Sequence, residues 1–158
     1  MKILYLHGLH AQPGGTKSSF LRQHGHDVLE PSLPPFKFDE SVRIAQAAFD
    51  DFCPVVVVGS SRGGAVAMNM DCRKAPLVLV APAWNWNGMA STVKPGTLIM
   101  HAPEDEVVPL EHSRQLAEKS GLPAENLIVV GEGHRMNDPA ALDALLRAVE
   151  RAFKEKRR

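Results

Sequence analysis

A chain of 158 residues, 44 % apolar and 23 % charged, carries enough apolar material for one core of ordinary size and is not the composition of a disordered or fibrous protein. Eighteen Lys and Arg balance eighteen Asp and Glu, so no basic field speaks for a nucleic-acid partner. Cys53 and Cys72 are too few for a disulfide framework and fit idle thiols in a reducing compartment. The opening Ile3-Leu4-Tyr5-Leu6 is too short for a signal-peptide core and no run could span a bilayer, so a cytoplasmic protein of one domain, residues 1–158, is expected.

Strand patterns fall at residues 2–7, 26–30, 55–60, 77–81, 97–101 and 126–130. Most are nearly continuous apolar runs, as strands of a parallel sheet covered on both faces should be. Helical patterns lie between them. The first, 16–24, stops at Gly25; the second is capped by Asp39 and carries Val42, Ala45 and Phe49 on one face. A third begins behind Ser61 and runs to about Cys72, and a fourth has Pro109 in its first turn and ends before Gly121. The last is capped by Asp138, starts at Pro139 and bears the stripe Leu142, Leu145, Leu146, Val149 and Phe153. Its basic end, Lys154 to Arg158, suits the helix dipole. Such alternation with short loops predicts a three-layer α/β fold, with ligands at the carboxyl ends of the strands. Repeats, low-complexity segments and linkers are absent.

Those strand ends carry the polar residues. Gly59-Ser60-Ser61-Arg62-Gly63 directly follows Val55-Val56-Val57-Val58. A Gly-x-Ser-x-Gly there reads as a nucleophile elbow, in which a strand turns so sharply into a helix that the serine is held strained and its neighbours must be small. The fifth strand is followed by Glu104-Asp105-Glu106, and the sixth by Gly131-Glu132-Gly133-His134. Ser61, Asp105 and His134 thus leave successive strand ends in the order Ser, Asp, His. A serine hydroxyl becomes a useful nucleophile when an imidazole accepts its proton, and a carboxylate holds that imidazole in the right tautomer. Taken singly, Asp105 is an ordinary loop acid, like Glu104 and Glu106, and His134 a loop histidine.

The chain resembles an α/β-hydrolase over nearly its whole length. His7-Gly8 resembles the oxyanion-hole loop of that family, Gly59-Ser60-Ser61-Arg62-Gly63-Gly64 its elbow, and Gly133-His134 its terminal histidine motif. His101 to Pro109 resembles its His-Gly-x-x-Asp-x-x-Val-Pro segment, with Ala102 in place of the glycine. Tyr5-Leu6-His7-Gly8 is similar to the start of the small, lidless bacterial esterases of the YqiA-like group. The resemblance implies an all-parallel sheet in the order 2-1-3-4-5-6, a Ser61-His134-Asp105 triad, and an oxyanion hole formed by the backbone amides of Leu9 and Arg62. It further implies a serine hydrolase that cleaves carboxylic esters or thioesters through an acyl-enzyme, with no cofactor and no metal. Its partner is a small-molecule ester or thioester, with neither nucleic acid nor membrane involved.

Only Pro82 to Gly96 separate the fourth strand from the fifth, so no cap domain fits there, and an open site for short or exposed acyl groups is expected. Trp84 and Trp86 in that segment are candidates for an apolar pocket wall, with His10 and Met136 as further substrate-contacting candidates; each tryptophan could instead cover the sheet edge. The Arg62 side chain could anchor an acidic substrate or pair with Glu104 or Glu106. Pro13-Gly14-Gly15-Thr16-Lys17-Ser18 fails the phosphate-loop spacing, because Thr16 precedes the lysine. His24-Gly25-His26-Asp27 reads as a turn and not as a metal cluster. The competing reading is a catalytically weak binding or regulatory module of the same fold, docking through the Trp84-Trp86 loop. The oligomeric state stays open, since edge-strand pairing and that loop would each allow a dimer.

Overall fold

The computed structural model describes residues 1–158. Six parallel strands, β1 (Lys2–Leu6), β2 (Asp27–Leu29), β3 (Val56–Ser60), β4 (Leu77–Val80), β5 (Leu98–His101) and β6 (Leu127–Val129), form one sheet in the order β2-β1-β3-β4-β5-β6. The helices are α1 (Thr16–Gln23), α2 (Phe38–Phe52), α3 (Arg62–Met68), α4 (Leu110–Lys119) and α5 (Pro139–Lys156).

Side chains alternate along each strand, so a strand buried on both faces has no polar side to show. Ile3, Tyr5, Val56, Val58, Val78, Val80, Leu98 and Met100 pack with Leu21 of α1 and with Ala141, Leu145 and Val149 of α5. Leu4, Leu6, Val57, Leu77, Leu79 and Ile99 take the other face, against Phe49 of α2, Val66 of α3 and Leu116 of α4. Val56, Val57 and Val58 have no exposed surface. Burying each contributes about 1.5–3 kcal/mol of gross apolar transfer. The edge strands β2 and β6 are three residues each, which leaves little unpaired backbone for another chain to extend.

Several boundaries differ from the sequence reading. α2 starts at Phe38, so Asp39 lies inside its first turn and caps nothing; Ser41 Oγ instead donates to the carbonyls of Pro34 and Lys37. The helix behind Ser61 stops at Met68 and not near Cys72, because the Asn69 side chain bonds back to the Ala65 carbonyl at 2.8 Å. Pro109 precedes α4 as its cap residue. Asp138 caps α5 as expected, accepting from Ala141 N–H at 3.2 Å with Pro139 at the first helical position. Between β4 and β5 only a short 3₁₀ turn, Trp84–Trp86, is inserted. Cys53 is exposed and Cys72 buried, and both are unpaired. No helix is long and apolar enough to cross a membrane.

Candidate active site

Ser61 sits between the end of β3 and the start of α3 with φ 54° and ψ −118°. A residue with a side chain resists this region, at a cost on the order of 1–3 kcal/mol. Its backbone is fastened from both sides. Ser61 N–H donates to Val80 O at 2.9 Å, and Ser61 O accepts from Gly64 N–H at 3.0 Å and Ala83 N–H at 2.9 Å. The glycines make the turn possible. A Cβ on Gly63 would overlap the carbonyls of Leu6 and His7, and one on Gly59 would stand 2.6 Å from Gly63 O. On Gly64 it would meet Pro82 Cβ at 2.8 Å. α3 can pack this close to β1 and β4 only where side chains are missing.

The loops after β5 and β6 deliver the other two groups. His134 Nε2 lies 3.0 Å from Ser61 Oγ, and His134 Nδ1 lies 2.8 Å from Asp105 Oδ2. The carboxylate accepts from Nδ1–H, which leaves Nε2 bare and facing the serine hydroxyl. The Asp105 carboxylate is fully buried, while His134 keeps some exposure. Asp105 Oδ1 accepts the amides of Val107 at 2.8 Å and Val108 at 2.7 Å, so its own loop fixes the rotamer. Glu106 is more than a loop acid, since its Oε2 accepts from His134 N–H at 3.2 Å and holds the two loops together.

Beneath Asp105 lies His101, with no exposed surface. Its Nε2 is 2.8 Å from the Val108 carbonyl and 3.2 Å from Asp105 Oδ2, and its Nδ1 is 2.6 Å from Ser113 Oγ. Two acceptors at Nε2 put the ring proton there and let Ser113 donate to Nδ1. Burial lowers the pKa of His101 against the opposing pull of the Val108 carbonyl and Asp105, so the ring stays neutral.

Ser61 and His134 open into a cavity of about 850 Å³, also lined by Leu9, His10, Lys17, Glu30, Phe38 and Trp86. Leu9 and Arg62 line this cavity with Ser61, and neither backbone amide donates to another group of the protein. His7 braces the first of them. Its Nδ1 bonds Gly8 O at 2.8 Å and its Nε2 accepts from Leu33 N–H at 3.0 Å, which ties the Gly8–Leu9 turn to the segment after β2.

No family model matches the sequence, and no curated protein does. Solved structures do match. A protein of the α/β-hydrolase superfamily from Xanthomonas campestris pv. campestris shares 19 % identity at a TM-score of 0.73, over 98 % of this chain and 97 % of that one. Alpha/beta hydrolase domain-containing protein 10 from mouse shares 15 % at 0.75, over 98 % and 90 %, and Est1E from Butyrivibrio proteoclasticus shares 18 % at 0.75, over 98 % and 87 %. At such identities the likeness carries the architecture and not the activity. The chain has the α/β-hydrolase fold.

Within this hydrolase fold the remaining residues singled out from the sequence separate. Leu9, His10 and Trp86 line the cavity with Ser61. Trp84 does not. It is buried on the α4 side of the sheet, where its Nε1 donates to the His112 carbonyl at 2.9 Å and Lys119 lies over its ring. Met136 is also misplaced by the sequence reading: a backbone at φ 49° turns its side chain into the core under α5. Arg62 neither reaches a substrate position nor pairs with Glu104 or Glu106. It is 4 % exposed and donates to Pro34 O and Ser41 Oγ, both at 3.1 Å, while stacking on Phe38. Burial lowers its pKa.

Several residues of the site escaped the sequence reading, among them Tyr5, Lys17, Glu30, Phe36 and Phe38. Burial pushes the Tyr5 phenol well above its ordinary pKa and lowers that of the Lys17 ammonium to about 8, with Glu30 holding it up. Lys17 donates to Arg135 O at 2.5 Å and Asn137 Oδ1 at 3.1 Å, joining α1 to the loop that carries His134. Its only sequence signal was a failed phosphate-loop pattern.

Proposed function

We propose that the protein is a serine hydrolase of carboxylic esters or thioesters, working through an acyl-enzyme. The observation that carries this reading is the unbroken line from Ser61 Oγ through both nitrogens of His134 to Asp105 Oδ2, at 3.0 Å and 2.8 Å. Ser61 Oγ attacks the acyl carbon as His134 Nε2 takes its proton. The carbonyl oxygen becomes an oxyanion, held by the Leu9 and Arg62 amides, each worth roughly 3 kcal/mol of barrier. The tetrahedral intermediate collapses, the leaving alkoxide or thiolate takes the proton from His134, and the acyl group stays on Ser61. Water then attacks the acyl-enzyme with His134 as base again, releasing the acid and restoring Ser61. Asp105 keeps the imidazole oriented and stabilises its charged form.

The open cavity supports short or exposed acyl groups, with Phe36, Phe38 and Trp86 as its apolar wall. The competing picture of a docking module loses half of its surface, because Trp84 is buried. Labelling with a fluorophosphonate, followed by intact mass on wild type and Ser61→Ala, tests the proposal. One adduct on wild type and none on the variant is the expected result. A folded wild type that takes no adduct, or a variant that still takes one, overturns it.

A further inference from the structure

Glu30 stands at the carboxyl end of β2, on the same face of the sheet as Tyr5, and is 8 % exposed. Its Oε1 accepts from Gly14 N–H at 2.7 Å and from Ser18 Oγ at 2.6 Å. Its Oε2 accepts no hydrogen bond from the protein and keeps some exposure, and the residue lines the cavity that holds Ser61. Lys17 does not close this pair; its ammonium is turned to the Arg135 carbonyl and Asn137. A carboxylate this far out of water costs desolvation, and the hydrogen bonds of its open oxygen can come only from the cavity side. Pinning the 14–18 turn needs only one acceptor oxygen, which an amide would provide without desolvating a charge. The second oxygen and the charge remain for whatever enters.

Resting on the serine-hydrolase reading, we infer that Glu30 sets specificity, and that the preferred substrate carries a hydroxyl group which donates its hydrogen to Glu30 Oε2. The neighbours select a neutral donor. Lys17 and Arg135 at the same cavity would repel an ammonium group, and Glu30 itself would repel an anion. Ser18, Ser60 and Asn137 continue the polar side, whereas Phe36, Phe38 and Trp86 form an apolar one. The cavity therefore suits an amphiphilic ester, with an apolar portion and a hydroxylated portion on one molecule.

The hydroxyl could belong to the acyl or to the alcohol part, so the test has two arms on the purified full chain. One compares kcat/KM for 4-nitrophenyl 3-hydroxybutyrate and 4-nitrophenyl butyrate; the other compares glycerol monobutyrate and propyl butyrate. In one arm the hydroxylated ester is expected to win by about tenfold or more, the scale of a hydrogen bond to a charged acceptor. Glu30→Gln, which keeps an oxygen for Gly14 and Ser18 but presents an amide to the cavity, is expected to collapse that ratio. The O-methylated esters need no variant: they keep the oxygen, lose the hydrogen, and should lose the advantage. Ratios near one in both arms overturn the inference, as does a preference that survives both Glu30→Gln and methylation. Labelling at Ser61 with hydrolysis of every ester alike would sink this inference alone. No labelling and no hydrolysis would sink the serine-hydrolase reading and this one with it.

Discussion

Nε2 of the buried His101 lies 3.2 Å from Oδ2 of Asp105, the same oxygen that receives His134 Nδ1 at 2.8 Å. One carboxylate oxygen thus organises two imidazoles, one locked in the core and one free to take a proton. Burial holds the pKa of His101 below the ordinary value near 6.5, against the pull of Asp105, so the fold favours the neutral ring.

The lowered pKa of His101 makes stability depend on pH in a defined sense. The unfolded chain protonates this histidine at about pH 6.5, and the folded one only at lower pH. The contribution is therefore present above pH 6.5 and is lost as pH falls from there toward the folded value. Denaturant melts of wild type and His101→Gln between pH 7.5 and 5 check this. The variant is expected to be less stable at pH 7.5, and the gap should narrow as the pH drops. A gap independent of pH would count against it.

Asp105→Asn should leave a folded protein that reacts slowly. The amide oxygen can still accept from Val107 and Val108, but the NH₂ now faces His134 Nδ1 and forces the ring proton to the nitrogen opposite Ser61. A fall in kcat/KM on the order of 10⁴ is expected, with circular dichroism unchanged. Steady-state hydrolysis of an activated ester measures it.

Gly63→Ala should not yield a native protein. The added methyl would occupy the space of the Leu6 and His7 carbonyls, both backbone atoms that cannot step aside. A loss of more than about 3 kcal/mol is expected, against a much smaller loss for Gly8→Ala, whose methyl meets Ser61 Cβ at an ordinary 3.5 Å. Soluble yield and melting temperature of the two variants decide it.

Arg62→Met separates the backbone of this residue from its side chain. Removing the guanidinium takes the charged donor from Ser41 Oγ and the Pro34 carbonyl, which keep only their bond to each other and that of Ser41 to Lys37 O, at a cost of about 1–3 kcal/mol in thermal stability. The backbone amide of the residue is unchanged by this substitution, so the fluorophosphonate labelling rate is expected to fall less than about tenfold. A collapse in labelling with an unchanged melting temperature would assign the side chain to the site.

The two tryptophans should divide in the same way. Trp86→Ala removes an exposed wall of the cavity and is expected to raise KM for apolar esters with little change in melting temperature. Trp84→Ala empties a buried position and should cost about 3–5 kcal/mol. Equal effects of both on KM would contradict this division.

Periodicity and spacing made much of this molecule readable before any coordinates. Unbroken apolar runs such as Val55 to Val58 announced strands covered on both faces, and the glycines around Ser61 announced a turn too tight for side chains. These are local properties, written in consecutive residues. The chain order of Ser61, Asp105 and His134 was visible for the same reason, since each follows its own strand. What lay across the fold was not. Trp84 and Trp86 are two residues apart and both touch His112, yet one is buried against α4 and the other lines the cavity, because a 3₁₀ turn sets them about 120° apart around its axis. Arg62 found its partners at Pro34 and Ser41, and Met136 turned into the core on a left-handed backbone. Glu30 and Lys17, which belong to no motif, entered the site only because β2 lies beside β1 and α1 packs over both. A side chain's partner is chosen by the elements that pack around it, and that choice exists only once the sheet has assembled.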